Sequence, residues 1–274
     1  MTPLEHPIGP NTAVSNCRPT NASVLVALPV YNESRYLDDV LHAVQQYASD
    51  ILVVNDGSTD GTRETLTKHT CLRLVTHETN AGYGRSLIDA FVYARTHRFE
   101  WIITIDCDHQ HEPSYIPHFY REIEKNEVDI ISGSRYLRPL DVGPLRPPPE
   151  RVAINQEITA LLNRVLGIGL TDAFCGFKAY RTEAICRLGL TESGYGLPLQ
   201  VWTRAKKAGL VIREIPVPLI YYDPKRSFCR ELENPQERRA YYLRVLSQEL
   251  GGDLIDAHEA SAYSGRERHR LYSS

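Results

Sequence analysis

No stretch of this 274-residue chain is apolar over the roughly 20 residues that crossing a bilayer requires. The first thirty residues contain no cationic segment followed by an apolar one, so no secretory leader is read there and the expected compartment is the cytoplasm. Contact with a membrane face, or with a second copy of the chain, stays open. Six cysteines (Cys17, Cys71, Cys107, Cys175, Cys186 and Cys229) are scattered, with no Cys-x-x-Cys pair. That argues against a zinc ribbon and fits free thiols in a reducing compartment. An excess of one charge is also missing. With a net charge of −3 nothing suggests a general polyanion binder, so nucleic acid is not an expected partner. There is no internal repeat.

What is present fits one large α/β domain, since a chain of this size can bury roughly three-quarters of its unfolded surface without staples. Residues 1–22, rich in Pro, Asn and Thr, read as a flexible arm; residues 23–228 read as the domain; residues 229–274 read as a helix and a polar tail. Val24–Leu28 and Ile51–Val54 are continuous apolar runs of the kind that suits strands covered on both faces. Further strands are expected at 72–75, 101–105 and 130–133. Helical patterns lie between them, giving a mostly parallel sheet wound with right-handed crossovers. Arg138–Arg151, rich in proline and arginine, reads as a lid or a disordered segment. Helices are expected over 152–166, 197–208 and 235–249. Asp172–Tyr180 reads as a turn followed by a short helix, and 210–217 as a strand that Pro216 places near an edge.

Ligands of open α/β sheets bind at the carboxyl ends of strands. Three polar clusters fall at such ends: Pro29–Glu33, Asn55–Asp60 and Asp106–His111. The third carries two carboxylates one residue apart, Asp106 and Asp108. Stacked carboxylates at the end of a buried strand cost solvation energy and repel each other. A hard divalent cation between them removes that cost, and Mg2+ is commonly held by one or two carboxylates plus substrate phosphates. Taken alone, the pair also fits a turn or a helix cap.

Four segments occur in order: Ala27-Leu-Pro-Val-Tyr-Asn-Glu33, Val53-Val-Asn-Asp-Gly-Ser-Thr-Asp-Gly-Thr62, Ile105-Asp-Cys-Asp-His-Gln-His111 and Ser132-Gly-Ser-Arg-Tyr136. Together they resemble a family 2 glycosyltransferase of GT-A fold. Gly133–Tyr136, Asp172-Ala-Phe-Cys-Gly-Phe-Lys178, Gly194-Tyr195 and Ile215-Pro-Val217 resemble most the dolichyl- or polyprenyl-phosphate mannose (or glucose) synthases. The resemblance covers about residues 22–228.

That resemblance implies a UDP- or GDP-sugar donor, Mg2+ or Mn2+, and a polyprenyl phosphate or a sugar hydroxyl as acceptor. It implies that Pro29 and Tyr31 wall the base and ribose, that Glu33 reaches ribose or base, and that Asp56 accepts from a base N–H. Asp106 and Asp108 would hold the cation, Asp106 also by way of a water or the ribose. Gln110 would complete the metal site, with His111 as its rival; His109 and His111 otherwise read as surface histidines. Arg135 would lie near a phosphate, and Lys178, Lys225 and Arg226 would add cations for the acceptor. If the acceptor is a hydroxyl, a carboxylate must deprotonate it, with Asp172 the first candidate and Glu192 the second. If it is a phosphate, no base is needed and Asp172 orients neighbours such as Lys178. Gly82 and Gly84 fit a helix-opening turn or a phosphate approach, and Arg85 a solvated helix face or a diphosphate contact.

Three departures bear on the acceptor. The segment Tyr222–Phe228 lacks the glycine of the family's basic segment, Cys175-Gly176-Phe177 replaces Ser-Gly-Phe, and the C-terminal membrane helices of some relatives are missing. A nucleotidyltransferase would carry a Gly- and Lys-bearing phosphate loop after its first strand. Pro29–Glu33 has neither. A non-catalytic nucleotide-sugar-binding domain would not need Asp56, Asp106 and Asp108 intact.

Overall fold

A computed structural model describes residues 22–138, 145–221 and 232–251. The arm expected at 1–22, the middle of the Pro/Arg-rich segment, and Lys225 and Arg226 therefore lie outside the described residues, apart from position 22.

Among the described residues seven strands form one sheet: β1 (Val24–Val30), β2 (Ile51–Asn55), β3 (Arg73–Thr76), β4 (Trp101–Thr104), β5 (Ile130–Ser134), β6 (Lys178–Arg181) and β7 (Ile212–Pro216), in the order β3-β2-β1-β4-β6-β5-β7. Helices α1 (Leu37–Gln45), α2 (Thr62–Leu66), α3 (Tyr83–Thr96), α4 (Ile116–Lys125), α5 (Pro149–Leu166), α6 (Thr182–Cys186), α7 (Leu197–Lys207) and α8 (Pro235–Leu250) complete the fold. Strand side chains alternate between faces, so β1 feeds two cores. Leu25 and Ala27 pack with α3, α5, α7 and α8, while Val26, Leu28 and Val30 pack with α1 and α4.

The sheet is mostly parallel, as expected, with one reversal. β6 runs antiparallel to both β4 and β5, with Ala179 opposite Ile103 on one side and Ile131 on the other. The sequence pattern alone predicts a turn there. Four residues, Lys-Ala-Tyr-Arg, are too short and too polar to display a strand period, and the strand exists because two neighbours supply its hydrogen bonds. β7 is an outermost strand and ends on Pro216, where a missing N–H costs nothing. α5 starts three residues earlier than expected, at Pro149, because proline is tolerated in a first helical turn.

The helix α8 is capped by Asn234, whose side chain accepts from the Gln236 N–H at 2.8 Å. It buries Tyr242, Val245 and Leu246 against α5 and α7. Arg204 of α7 closes onto Glu249 at 2.6 Å. This last helix forms one wall of the cleft described next.

Candidate active site

The carboxyl ends of β1, β2 and β4 are adjacent. Pro29 sits inside β1, a central strand, where proline is normally costly. Hydrogen bonding explains its tolerance. Val26 donates to Asp50 O and Val30 accepts from Asp56 N, so the even positions of β1 face β2. The odd positions face β4, whose pairing stops at Ala27–Thr104. Pro29 thus lacks an N–H only where no strand remains to receive it. Beyond it, Asn32 takes a positive φ of 55°. Its Oδ1 accepts from Thr59 N at 2.8 Å, and its own N–H donates to Ser58 Oγ at 3.0 Å. The loop after β1 is thereby tied to the loop after β2. Tyr31, 44% exposed, and Glu33 are left facing the cleft.

Asp56 follows β2 and is buried at the cleft wall. Its Oδ1 accepts from Ala81 N at 2.7 Å and lies 2.6 Å from His77 Nδ1; its Oδ2 accepts from Gly82 N at 2.9 Å. Gly82, with φ of 105°, opens α3, and a Cβ on Gly82 or Gly84 would collide with the backbone of Glu192–Gly194. These glycines serve a helix-opening turn and a close approach between two loops. Arg85 is more than half exposed and pairs with Asp89 along α3.

Asp106 and Asp108 follow β4 and both face the cleft. Tyr83 donates to Asp106 Oδ1 at 2.9 Å and stacks on Tyr195 with ring centroids 5.2 Å apart. The backbone of Gly176 lies so close to Asp106 that any Cβ there would overlap the carboxylate. Asp108 Oδ1 accepts from Gln110 N at 3.0 Å, fixing the turn. His111 is not the surface histidine expected. It is buried, accepts from Asp106 N at 3.1 Å through Nδ1, and turns Nε2 to Cys175 Sγ at 3.8 Å. Burial pushes its pKa down to about 4, so the ring is neutral and shapes the turn from behind. That buries the rival to Gln110 as a third ligand.

Asp106, Asp108 and the amide of Gln110 are an all-oxygen donor set of the kind Mg2+ and Mn2+ prefer. Among the described residues no cluster of three His, Cys, Asp or Glu could hold a metal alone. Two carboxylates without a protein cage fit a cation that arrives with substrate phosphates.

Arg135 follows β5 and also faces the cleft. Asp172, fully buried, grips it with Oδ2 at 2.6 Å from Nε and Oδ1 at 2.9 Å from Nη2. Asn155 Nδ2 and Phe174 N also donate to Asp172 Oδ1, and Glu214 accepts from Asp172 N. Despite its burial, the arginine beside it holds the Asp172 carboxyl well below the usual carboxylate range. A carboxylate so enclosed has no reach to an acceptor hydroxyl. The expected base is instead the group that orients Arg135. Glu192, the second candidate, accepts from Tyr241 OH at 2.7 Å and Gly194 N at 2.8 Å.

Lys178 corrects another expectation. It lies on β6, 1% exposed, with Nζ donating to Cys175 O and stacked 5.4 Å over the Trp202 ring. It is a core cation and does not reach a phosphate; burial lowers its pKa.

The cleft encloses about 500 Å³. Besides Pro29, Tyr31, Glu33, Asp56, Asp106, Asp108, Gln110 and Arg135, it is walled by Arg151, Phe174, Tyr195, Tyr221 and Tyr242. Arg151 Nη1 donates to Tyr221 OH at 3.2 Å. Tyr83, Asn155 and Arg151 join the site without a motif in the sequence to mark them. In the sequence Tyr83 falls inside the glycine turn, Asn155 inside helical periodicity and Arg151 inside the Pro/Arg-rich segment.

A family model described as Glycosyl transferase family 2 matches residues 25–189. Curated relatives include an undecaprenyl-phosphate mannosyltransferase of Micrococcus luteus, 26% identical over 206 residues (72% of this chain, 83% of the relative). A polyprenol monophosphomannose synthase of Mycolicibacterium smegmatis is 27% identical over 228 residues (78% and 83%). Among solved structures, glucosyl-3-phosphoglycerate synthase of Mycobacterium tuberculosis with UDP aligns with a TM-score of 0.65 at 18% identity, covering 84% of this chain and 80% of that one. This last likeness shows the GT-A fold.

Proposed function

This chain belongs to glycosyl transferase family 2 and is a glycosyltransferase, and on that premise we propose that it moves a hexose, with inversion, from a UDP- or GDP-sugar to a polyprenyl phosphate. The observation that carries this reading is Arg135. It is a permanently charged planar fork, held by buried Asp172 in the same cleft as Asp106 and Asp108. The M. luteus and M. smegmatis relatives, named for undecaprenyl-phosphate and polyprenol chemistry, support the same acceptor class.

In this reading Pro29, Tyr31 and Glu33 seat the nucleoside, and Asp56 accepts from the base N–H. Asp106, Asp108 and Gln110 would hold Mg2+ or Mn2+, which when bound supplies Lewis-acid neutralisation of the departing diphosphate. Crystals of the M. tuberculosis synthase contain Mn2+ with UDP, which agrees with that choice of cation. Arg135 and Arg151 orient the acceptor phosphate. Its oxygen is already ionised, so it attacks the anomeric carbon in line while the nucleoside diphosphate leaves. No general base is required, and the sealed position of Asp172 accords with that. A hydroxyl acceptor, the alternative, would need a base, for which Glu192 and not the enclosed Asp172 is the remaining candidate.

The aromatic wall of Phe174, Tyr195, Tyr221 and Tyr242 suits an apolar acceptor tail. Among the described residues no helix is long and apolar enough to cross a membrane, so such an acceptor would be met by peripheral contact at the membrane face. The test is a donor screen with UDP- and GDP-hexoses, with Mn2+, with and without polyprenyl phosphate. A glycosyl-phosphoprenol product supports the reading. Transfer only to sugar hydroxyls overturns it.

A further inference from the structure

A chain of side-chain contacts runs inward across the edge of the sheet. Arg85 Nε donates to Asp89 Oδ2 at 2.8 Å; Asp89 Oδ2 lies 3.0 Å from His77 Nε2; His77 Nδ1 lies 2.6 Å from Asp56 Oδ1. Side-chain exposure falls along it, from 54% at Arg85 through 20% and 14% to 4% at Asp56. Only the last member faces the cleft.

We propose that His77 is a positioning residue of the donor site, holding the Asp56 carboxylate in the orientation that reads an N–H on the nucleobase. The inference rests on the base-reading role given to Asp56 above and adds the group that fixes it.

His77 is the first residue after β3, and its N–H donates to Asn55 O at 2.9 Å, continuing the β2–β3 ladder by one step. The ring position is therefore set by the sheet. Both ring nitrogens face carboxylate oxygens, and ionised carboxylates only accept. The ring therefore bridges Asp56, which follows β2, and Asp89 of α3. At Asp56 the bridge and the Ala81 N–H occupy Oδ1, while Gly82 N–H takes one site on Oδ2. A carboxylate offers about four acceptor sites, so one remains on Oδ2. Without His77, Oδ1 loses its strongest donor and the carboxylate is freer to turn away from a base.

Uracil and guanine present a ring N–H, whereas the corresponding ring nitrogen of cytosine only accepts. The readout is therefore base selectivity, which a general loosening of the fold would not alter. Binding of UDP, GDP and CDP with Mn2+ is measured by calorimetry for the wild type, Asp56→Asn, His77→Gln and Asp89→Asn, alongside donor and acceptor KM and the melting temperature. The wild type is expected to favour UDP or GDP over CDP, and Asp56→Asn to lose that preference. In His77→Gln the preferred nucleotide is expected to weaken about tenfold, the size of one charged hydrogen bond. CDP affinity, kcat and acceptor KM stay within about twofold. Asp89→Asn keeps an acceptor for Nε2 at a helix-surface position, tolerates the fold, and is expected to show the same pattern at smaller size. A wild type without base preference overturns the role of Asp56 and this inference with it. A wild type and Asp56→Asn that behave as expected, with equal losses for all nucleotides or none in the His77 and Asp89 variants, overturn the inference alone.

Discussion

The Asp172 carboxylate lies against the Arg135 guanidinium in a two-bond fork, 2.6 Å and 2.9 Å, with the acid fully buried and the arginine opening on the cleft. Asn155 from α5 and Glu214 from β7 brace the same acid. Burying the anion behind the cation turns a flexible side chain into a fixed cationic surface on the cleft.

Removing one partner of such a pair leaves the other charge buried. Asp172→Ala is expected to lose about 3–5 kcal/mol of stability and to raise acceptor KM, because Arg135 is released. Arg135→Lys should retain more stability but lose the planar fork, with acceptor KM rising more than donor KM. Denaturant melts and two-substrate kinetics decide this. A catalytic base at Asp172 would instead give a fall in kcat with acceptor KM unchanged.

The same pair sets an acid limit. The Asp172 carboxyl is held below its ordinary value in the folded state, so its contribution is fully present above the unfolded carboxylate value of about 3.9. It is lost as pH falls through the lower folded value. Melting temperature is therefore expected to decline on the acid side below about pH 4, with Arg135 staying charged throughout. In Asp172→Asn this acid-side slope should be shallower.

The strand ends under β1, β2 and β4 were legible because each joins a continuous apolar run to an abrupt polar cluster. Pro29, Asp56, Asp106 and Asp108 could be placed on one edge from that pattern alone. β6 was not legible, since its four residues owe their extension to β4 and β5. Nor was the role of Asp172, which depends on Asn155 and Glu214, distant in sequence. His111 looked exposed because its neighbours are polar, and only the fold shows it tucked against Cys175 and Phe177. Lys178 looked like a phosphate ligand because it follows the Gly-Phe motif, yet the reversal of β6 turns it into the core.

Lys178→Met tests that correction. Methionine approximates the stem that covers Trp202, and the buried Cys175 carbonyl loses one donor. A stability loss of about 1–3 kcal/mol is expected from the unsatisfied acceptor, with acceptor KM unchanged per folded molecule. A tenfold rise in acceptor KM would restore the phosphate-binding role.

Asp108→Ala is expected to abolish transfer, a fall of about a thousandfold or more if the carboxylate holds the cation that neutralises the leaving diphosphate. The fold should persist, because Asp108 accepts from Gln110 N in a surface turn. Calorimetry with UDP should lose its dependence on Mn2+. Near-normal turnover in this variant would remove the metal assignment.

Gly176→Ala offers the sharpest geometric test. The glycine has an ordinary backbone, so alanine carries no conformational penalty of the left-handed kind. The single added methyl would overlap the carboxylate of Asp106. Either that carboxylate swings away, losing the Tyr83 hydroxyl at 2.9 Å, or the turn after β4 shifts with it. In both cases the defect falls on the Asp106 end of the cleft, the end proposed to hold metal and diphosphate, while the Arg135–Asp172 fork is kept. Metal-dependent UDP binding should weaken and kcat should fall, with acceptor KM little changed. An Asp106→Ala/Gly176→Ala double variant should be no worse than Asp106→Ala alone, since the methyl then has nothing to displace. Independent, additive losses would mean that Gly176 serves another purpose than making room for Asp106.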